Sequence, residues 1–175
     1  MVRTILFLGI FGCEGPAGPA GVDGVDGTGG LDGSAADRLV HRNSFSGYDN
    51  IDDGLLSGRN LVFDKVHDDT WLRLTYYDNF GCYSGTDNDP CQCIWELLIN
   101  DASCKNDGPI EGYISSVVID MQHSSTIGGW CNKSDNGKLA AGSYEVEVDV
   151  TATGNCDCYT GFDNMTGFLE AEELY

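Results

Sequence analysis

The segment Tyr144-Glu145-Val146-Glu147-Val148-Asp149-Val150 alternates Tyr or Val with Glu or Asp without a break. Successive side chains of a β-strand point to opposite faces, so this pattern predicts a strand with one buried face and one wet face. Similar short runs recur at Leu61-Val62-Phe63, Trp71 to Tyr77, Ile94 to Ile99, Ile110 to Met121 and Gly167 to Leu174. Turn-forming residues stand between them, at Asp78-Asn79, Asn106-Asp107-Gly108-Pro109 and Asp135-Asn136-Gly137. Helical periodicity is almost absent. Many short antiparallel strands at this spacing predict an all-β sandwich or barrel over residues 38–175. That length is enough for one domain, burying roughly two-thirds of the surface its unfolded chain exposes.

A second pattern precedes the first. Glycine falls at every third position from Gly15 to Gly33. The axis of a collagen triple helix admits only glycine, so this run predicts a collagen-like tether over residues 13–37. The run is short, and only Pro16 and Pro19 stiffen it. Assembly of the molecule is therefore expected to depend on the β-domain downstream.

Residues 1–12 read as a signal segment: Arg3 supplies a positive charge and Thr4 to Gly12 an apolar core. Ile10-Phe11-Gly12-Cys13 resembles a bacterial lipobox, which makes Cys13 the candidate for lipidation. Phe11 is bulkier than the usual residue there. An ordinary secretory signal, or a leader read from an incomplete start, are the alternatives. This segment is too short for a transmembrane helix, which needs about 20 apolar residues. The expectation is a secreted or cell-surface protein, lipid-anchored if Cys13 is modified.

The chain carries a net charge of −19 with only nine Lys and Arg. Nucleic-acid phosphates call for clustered cations, so nucleic acid is not expected as a partner. Anionic membranes are disfavoured for the same reason. Eight cysteines in 175 residues fit an oxidising compartment.

From Asn60 through Trp71 to Asp78 the chain resembles the opening strands of the C-terminal domain of collagen-triple-helix-repeat-containing proteins, a relative of C1q and tumour necrosis factor jelly rolls. Further matches follow in order: Cys82, Cys91-Gln92-Cys93 before Trp95, Cys104, Pro109-Ile110-Glu111 and Gly129-Trp130-Cys131. Cys156 or Cys158, Thr160-Gly161-Phe162 and Glu172-Glu173-Leu174 complete the set, which covers nearly all of residues 55–175. The resemblance implies a disulfide-bonded jelly-roll β-sandwich that assembles as a homotrimer, is exported, and binds rather than catalyses. Animal members are associated with extracellular matrix and Wnt–Frizzled signalling. That partner is not carried over to a chain anchored at Cys13.

The disulfide candidates are Cys82, Cys91, Cys93, Cys104, Cys131, Cys156 and Cys158, an odd set that leaves one thiol over. Connectivity is not deducible from spacing. We expect Cys91 or Cys93 to pair with Cys82 or Cys104, and Cys131 with Cys156 or Cys158. The leftover thiol is a candidate staple between protomers. The two Cys-x-Cys motifs lack the usual spacing of structural zinc sites. Calcium is the better cation candidate, with Asp49, Asp52, Asp53, Asp87 and Asp89 as oxygen donors in loops that do not follow the EF-hand pattern. Otherwise no cofactor is expected.

His123-Ser124-Ser125 and His67-Asp68-Asp69 hold the residue types of a nucleophilic triad without its setting. Strand neighbours point to opposite faces, and no Gly-x-Ser-x-Gly elbow is present. His67 reads as a turn residue before the Trp71 strand. Asn132-Lys133-Ser134 and Asn164-Met165-Thr166 fit the glycosylation sequon, which has meaning only for a source that glycosylates it. The expected function is a non-catalytic, extracellular or cell-surface trimer that presents jelly-roll heads multivalently to a protein or glycan. A structural envelope or matrix spacer, and an exported hydrolase, are the other classes considered.

Overall fold

The alternating segment lies inside a strand that runs through Gly142–Thr153, and the other expected runs fall in strands too. The computed structural model describes residues 38–84, 90–104, 108–116, 121–131, 138–162 and 165–174. The signal segment, Cys13, the glycine run, Asp87, Asp89, the turn at Asp135-Asn136-Gly137 and the sequon residues Asn132 and Asn164 lie outside them. Ten strands are described: β1 (Leu39–Ser46), β2 (Asp53–Lys65), β3 (Trp71–Ser84), β4 (Cys91–Ile99), β5 (Ala102–Ser103), β6 (Ile110–Ser116), β7 (Met121–Cys131), β8 (Gly142–Thr153), β9 (Cys156–Thr160) and β10 (Thr166–Leu174). One sheet runs β1-β10-β3-β7, with β9 also paired to β3. The other runs β2-β8-β4-β5, with β6 also paired to β4. Every pairing is antiparallel. The chain passes between the two sheets in the manner of a jelly roll, as the sequence predicts.

Period-two patterning sets the core. Leu72, Leu74 and Tyr76 of β3 and Leu169 and Ala171 of β10 point inward from one sheet. Trp95, Leu97 and Ile99 of β4 and Val146, Val148 and Val150 of β8 meet them from the other. Phe80 joins the layers edge-on, 5.3 Å from the Tyr76 ring and 4.9 Å from Trp95. Rings at such spacing add about 1 kcal/mol beyond the area they bury.

Two sequence expectations are corrected. Asp78-Asn79 is not a turn; β3 runs straight through it to Ser84. Asp78 faces inward and is buried because Tyr76 Oη donates to its Oδ2 (2.9 Å) and Arg59 of β2 lies 3.5 Å away. The run from Ile110 to Met121 is also two elements: β6 ends at Ser116 in one sheet, and β7 begins at Met121 in the other. Besides the two-residue β5, three strands have no visible sequence pattern: β1, most of β7, and β9. Their Ser, Gly, Asn and Asp residues have weak β-propensity, and they show little apolar alternation. Each forms because a strong neighbour offers a ladder: β10 for β1, and β3 for β7 and β9.

Along the β2 side, buried charge links the two sheets. Glu173 of β10 accepts the Val66 and His67 backbone N–H groups at 2.8 and 3.2 Å, and the Thr70 hydroxyl at 3.0 Å. Lys65 of β2 donates to Thr70 Oγ1 at 2.8 Å and to the His67 carbonyl. Burial pushes the Lys65 ammonium below its ordinary range, and Glu173 opposes that. For Asp78, burial pushes the carboxyl above its ordinary 3.8, while Tyr76, the Asn79 amide and Arg59 pull it down. Arg59 also donates to the Ser57 and Gly47 carbonyls.

A Cβ at Gly161, which has φ +67°, would collide with the Gly47 carbonyl oxygen. The Gly161→Ala variant is expected to lose about 2–4 kcal/mol of stability, read from the urea midpoint. An acid whose folded pKa lies above its unfolded value is most stabilising when protonated, and that contribution is lost as pH rises through the folded value. Arg59→Met raises the Asp78 pKa further and loses the Ser57 and Gly47 bonds at every pH, so its deficit is expected to be smallest, but not absent, below pH 3.8. It should grow to roughly 3 kcal/mol near neutrality. Asp78→Asn in the same background should restore most of the loss in pH-dependent urea unfolding.

Candidate functional site

The two Cys-x-Cys motifs lie on β4 and β9, in opposite sheets. Alternation turns both cysteines of each motif inward, so they form two rungs between the layers: Cys91–Cys156 and Cys93–Cys158. Cys104, just after β5, joins Cys131 at the end of β7. Each bridge crosses from one sheet to the other. The expected pairings are therefore wrong: Cys91 and Cys93 take neither Cys82 nor Cys104, and Cys131 takes neither Cys156 nor Cys158. The expectation favoured sequence neighbours, whereas the inner faces bring together motifs separated by 65 residues. Equal spacing in the two motifs was the available signal. Cys82 is the leftover thiol, and it is buried. In this position it cannot itself staple a second protomer.

The acidic loop residues are engaged locally. Asp49 is buried and accepts the Ile51 and Ser57 amides at 2.9 and 3.0 Å. Asp52 accepts the Cys158 amide at 2.6 Å, and Asp53 opens β2. Among the described residues, the group that brings three possible metal-ligand atoms together is Cys82, Cys91 and Cys156, not these carboxylates. Ser124 donates to Asn79 Oδ1 rather than to a histidine. His67 sits in the β2–β3 loop, where its backbone serves Glu173, Lys65 and Thr70.

The outer faces of the two sheets differ sharply. On the β1-β10-β3-β7 sheet, Trp71 and Trp130 are 38% and 45% exposed and flank a shallow apolar groove of about 280 Å³. Lys138 Nζ lies 5.6 Å from the Trp71 ring. Tyr77 stacks on Phe168 at 5.5 Å, and Arg42 covers the Phe168 ring at 3.7 Å. Glu172 is buried on the same face between Arg73 (2.7 Å) and Arg38. The β2-β8-β4-β6 face is acidic instead, with Val62 and Tyr113 exposed among its carboxylates. Register places Glu111, Glu96 and Asp149 side by side across β6, β4 and β8. Glu145 and Glu147 continue the acidic set along β8. Burial, then Asp53 and Glu96, push the Asp149 carboxyl up; burial, then Glu145 and Asp101, do the same to Glu147. Of the described Lys and Arg residues, Arg59 and Lys65 lie between the sheets, while Arg38, Arg42, Arg73 and Lys138 serve the aromatic face.

A family profile described as "CTHRC1, C-terminal domain" matches residues 44–173. The chain belongs to this family. The match begins ahead of residue 55, where the sequence resemblance starts, and it takes in the end of β1. No curated protein matches the chain. The CTHRC1 C-terminal domain is a C1q/TNF-like domain, a secreted, extracellular and non-enzymatic type. Among the described residues no helix is long and apolar enough to cross a membrane. A cavity of about 300 Å³ opens in this domain between the β6 and β7 edges. Phe80, Trp95, Ile114, Ile127, His123 and Ser125 line it, and Gly112 leaves room there for the Ile127 side chain.

Trp71 and Trp130 share the aromatic face. Arg73 pairs with Trp130 in register and shares its face, two residues from Trp71. Only the β3–β7 ladder, whose second member lacked a visible pattern, brings the two tryptophans together. The cross-sheet bridges lead to a graded expectation for stability. Removing Cys104–Cys131, which closes a 27-residue link, as a double alanine variant should cost about 3.5 kcal/mol. Removing Cys93–Cys158 should cost less in the same urea titration, because Cys91–Cys156 still closes the same span of 65 residues.

Proposed function

We propose that this CTHRC1 C-terminal domain is a non-catalytic binding module that works as a homotrimer. In this reading the outer face of the β1-β10-β3-β7 sheet packs against its copies, and three acidic β2-β8-β4-β6 faces point outward to an extracellular protein or glycan. The division of the two outer faces carries the reading. Packing acidic faces together would set rows such as Glu111–Glu96–Asp149 against like charge. The aromatic face carries no such penalty, because Arg38 and Arg73 neutralise Glu172. Burying one half-exposed tryptophan there contributes roughly 2 kcal/mol. Arg73 Nε, shielded without a hydrogen-bond acceptor in the lone protomer, supports the same face.

Multivalency then supplies affinity. Three weak heads held together raise avidity by effective concentration, with no new contact. Arrays of proteins and glycans probed with the assembled chain identify the ligand class. A cationic ligand is favoured by the outward acidic faces.

Light scattering on the full chain, made under oxidising conditions, is expected to give three times the chain mass. Trp71→Glu with Trp130→Glu should yield monomers with an unchanged far-ultraviolet circular dichroism spectrum. A wild-type monomer at micromolar concentration rules this assembly out.

A further inference from the structure

Cys82 is fully buried near the end of β3, with its Sγ 3.4 Å from Cys91 Sγ and 3.7 Å from Cys156 Sγ. A thiol thus rests against both sulfurs of a disulfide. The arrangement follows from strand register. β9 lies beside the end of β3, with Ser84 opposite Cys156 and Cys82 opposite Cys158. Cys91 reaches the same point from the other sheet through its bridge to Cys156. Among the described residues, Cys82, Cys91 and Cys156 are the cysteines that cluster as a trio.

We propose that Cys82, Cys91 and Cys156 form a thiol–disulfide exchange site that transfers the odd thiol from the core to Cys156, where it takes up a low-molecular-weight disulfide. In the first step Cys82 attacks Cys91 Sγ, the nearer sulfur, and its proton passes to the departing Cys156 sulfur 3.7 Å away. The Cys82–Cys91 bond forms, the Cys91–Cys156 bond breaks, and Cys156 leaves as a thiol that ionises at the solvent edge. No oxidant is consumed, because one disulfide replaces another. In the second step the Cys156 thiolate attacks a small disulfide of the glutathione type, giving a mixed disulfide and one released small thiol.

Cys82 Sγ lies beside the Cys91–Cys156 bond, close to both of its sulfurs, so in-line attack on Cys91 requires the Cys82 side chain to turn first. Cys156 is 8% exposed, whereas Cys82 is sealed, so exchange moves the thiol toward solvent. An open depression of about 270 Å³, lined by Cys91, Pro90, Gln92 and Thr153, reaches the Cys91 end of the bridge. Burial pushes the Cys82 thiol up, and the Cys93 amide opposes that shift. The buried thiol is therefore mostly protonated at neutral pH, and exchange is slow. Uncatalysed rearrangements of this kind take minutes to hours.

The test uses the full chain, purified without reductant and incubated with glutathione disulfide. The reaction is quenched with acid and N-ethylmaleimide, then mapped by non-reducing peptide mass spectrometry. The expected product carries glutathione on Cys156 together with a Cys82–Cys91 bridge, while Cys93–Cys158 and Cys104–Cys131 stay intact. Adducts at Cys13 map to a separate peptide. With Cys82→Ser, the adduct on Cys156 should fall at least about tenfold. Cys82→Ala serves as a second variant if the serine does not fold. A wild-type map with Cys91–Cys156 as the sole bridge in the trio and no adduct on Cys156 overturns the proposal. So does an adduct on Cys156 that persists without Cys82.

Discussion

The two sheets of this domain must be held face to face, and cross-sheet fastening is the constraint on which the rest depends. Apolar packing of Leu72, Tyr76, Trp95 and the three inward valines of β8 supplies the bulk of it. That packing is non-directional and sets no register between layers. Covalent rungs on β4 and β9 fix one side, and the Glu173–Lys65–Thr70 and Asp78–Arg59–Tyr76 clusters fix the side near β2. Buried polar groups are tolerated there because each carboxylate finds several donors.

Once the layers are fixed, the outward residues have no structural work left and can differ between faces. One face gathers tryptophans and nearly all the described surface cations; the other gathers acids. A chain with net charge −19 thus keeps one face on which copies can meet without repulsion. The proposed trimer is the assembly that uses that face and leaves the acidic ones free. The exchange site belongs to the same architecture: an odd cysteine count, combined with two adjacent rungs, leaves a thiol inside the cross-sheet cluster.

Strong alternation made β8, β4 and the first half of β3 readable in advance, along with the all-β class. The ordered matches from Asn60 to Leu174 made the family readable too, as the profile match shows. Asp78-Asn79 misled, because those residue types favour turns in isolation and only Arg59 and Tyr76 make a strand interior acceptable to them. β1, β7 and β9 stayed hidden because their ladders come from partners far along the chain. Trp71 and Trp130 share a face only through the β3–β7 ladder.

By itself the sequence determined the period-two strands, the acidic charge, the odd number of cysteines and the family. Those are local or additive properties, legible wherever side-chain direction alternates along a chain. The tertiary structure decided which cysteines meet, that Cys82 is left buried against a disulfide, and that Trp71 and Trp130 flank one groove. These depend on long-range register between strands, and register is set by the packed layers rather than by any single segment.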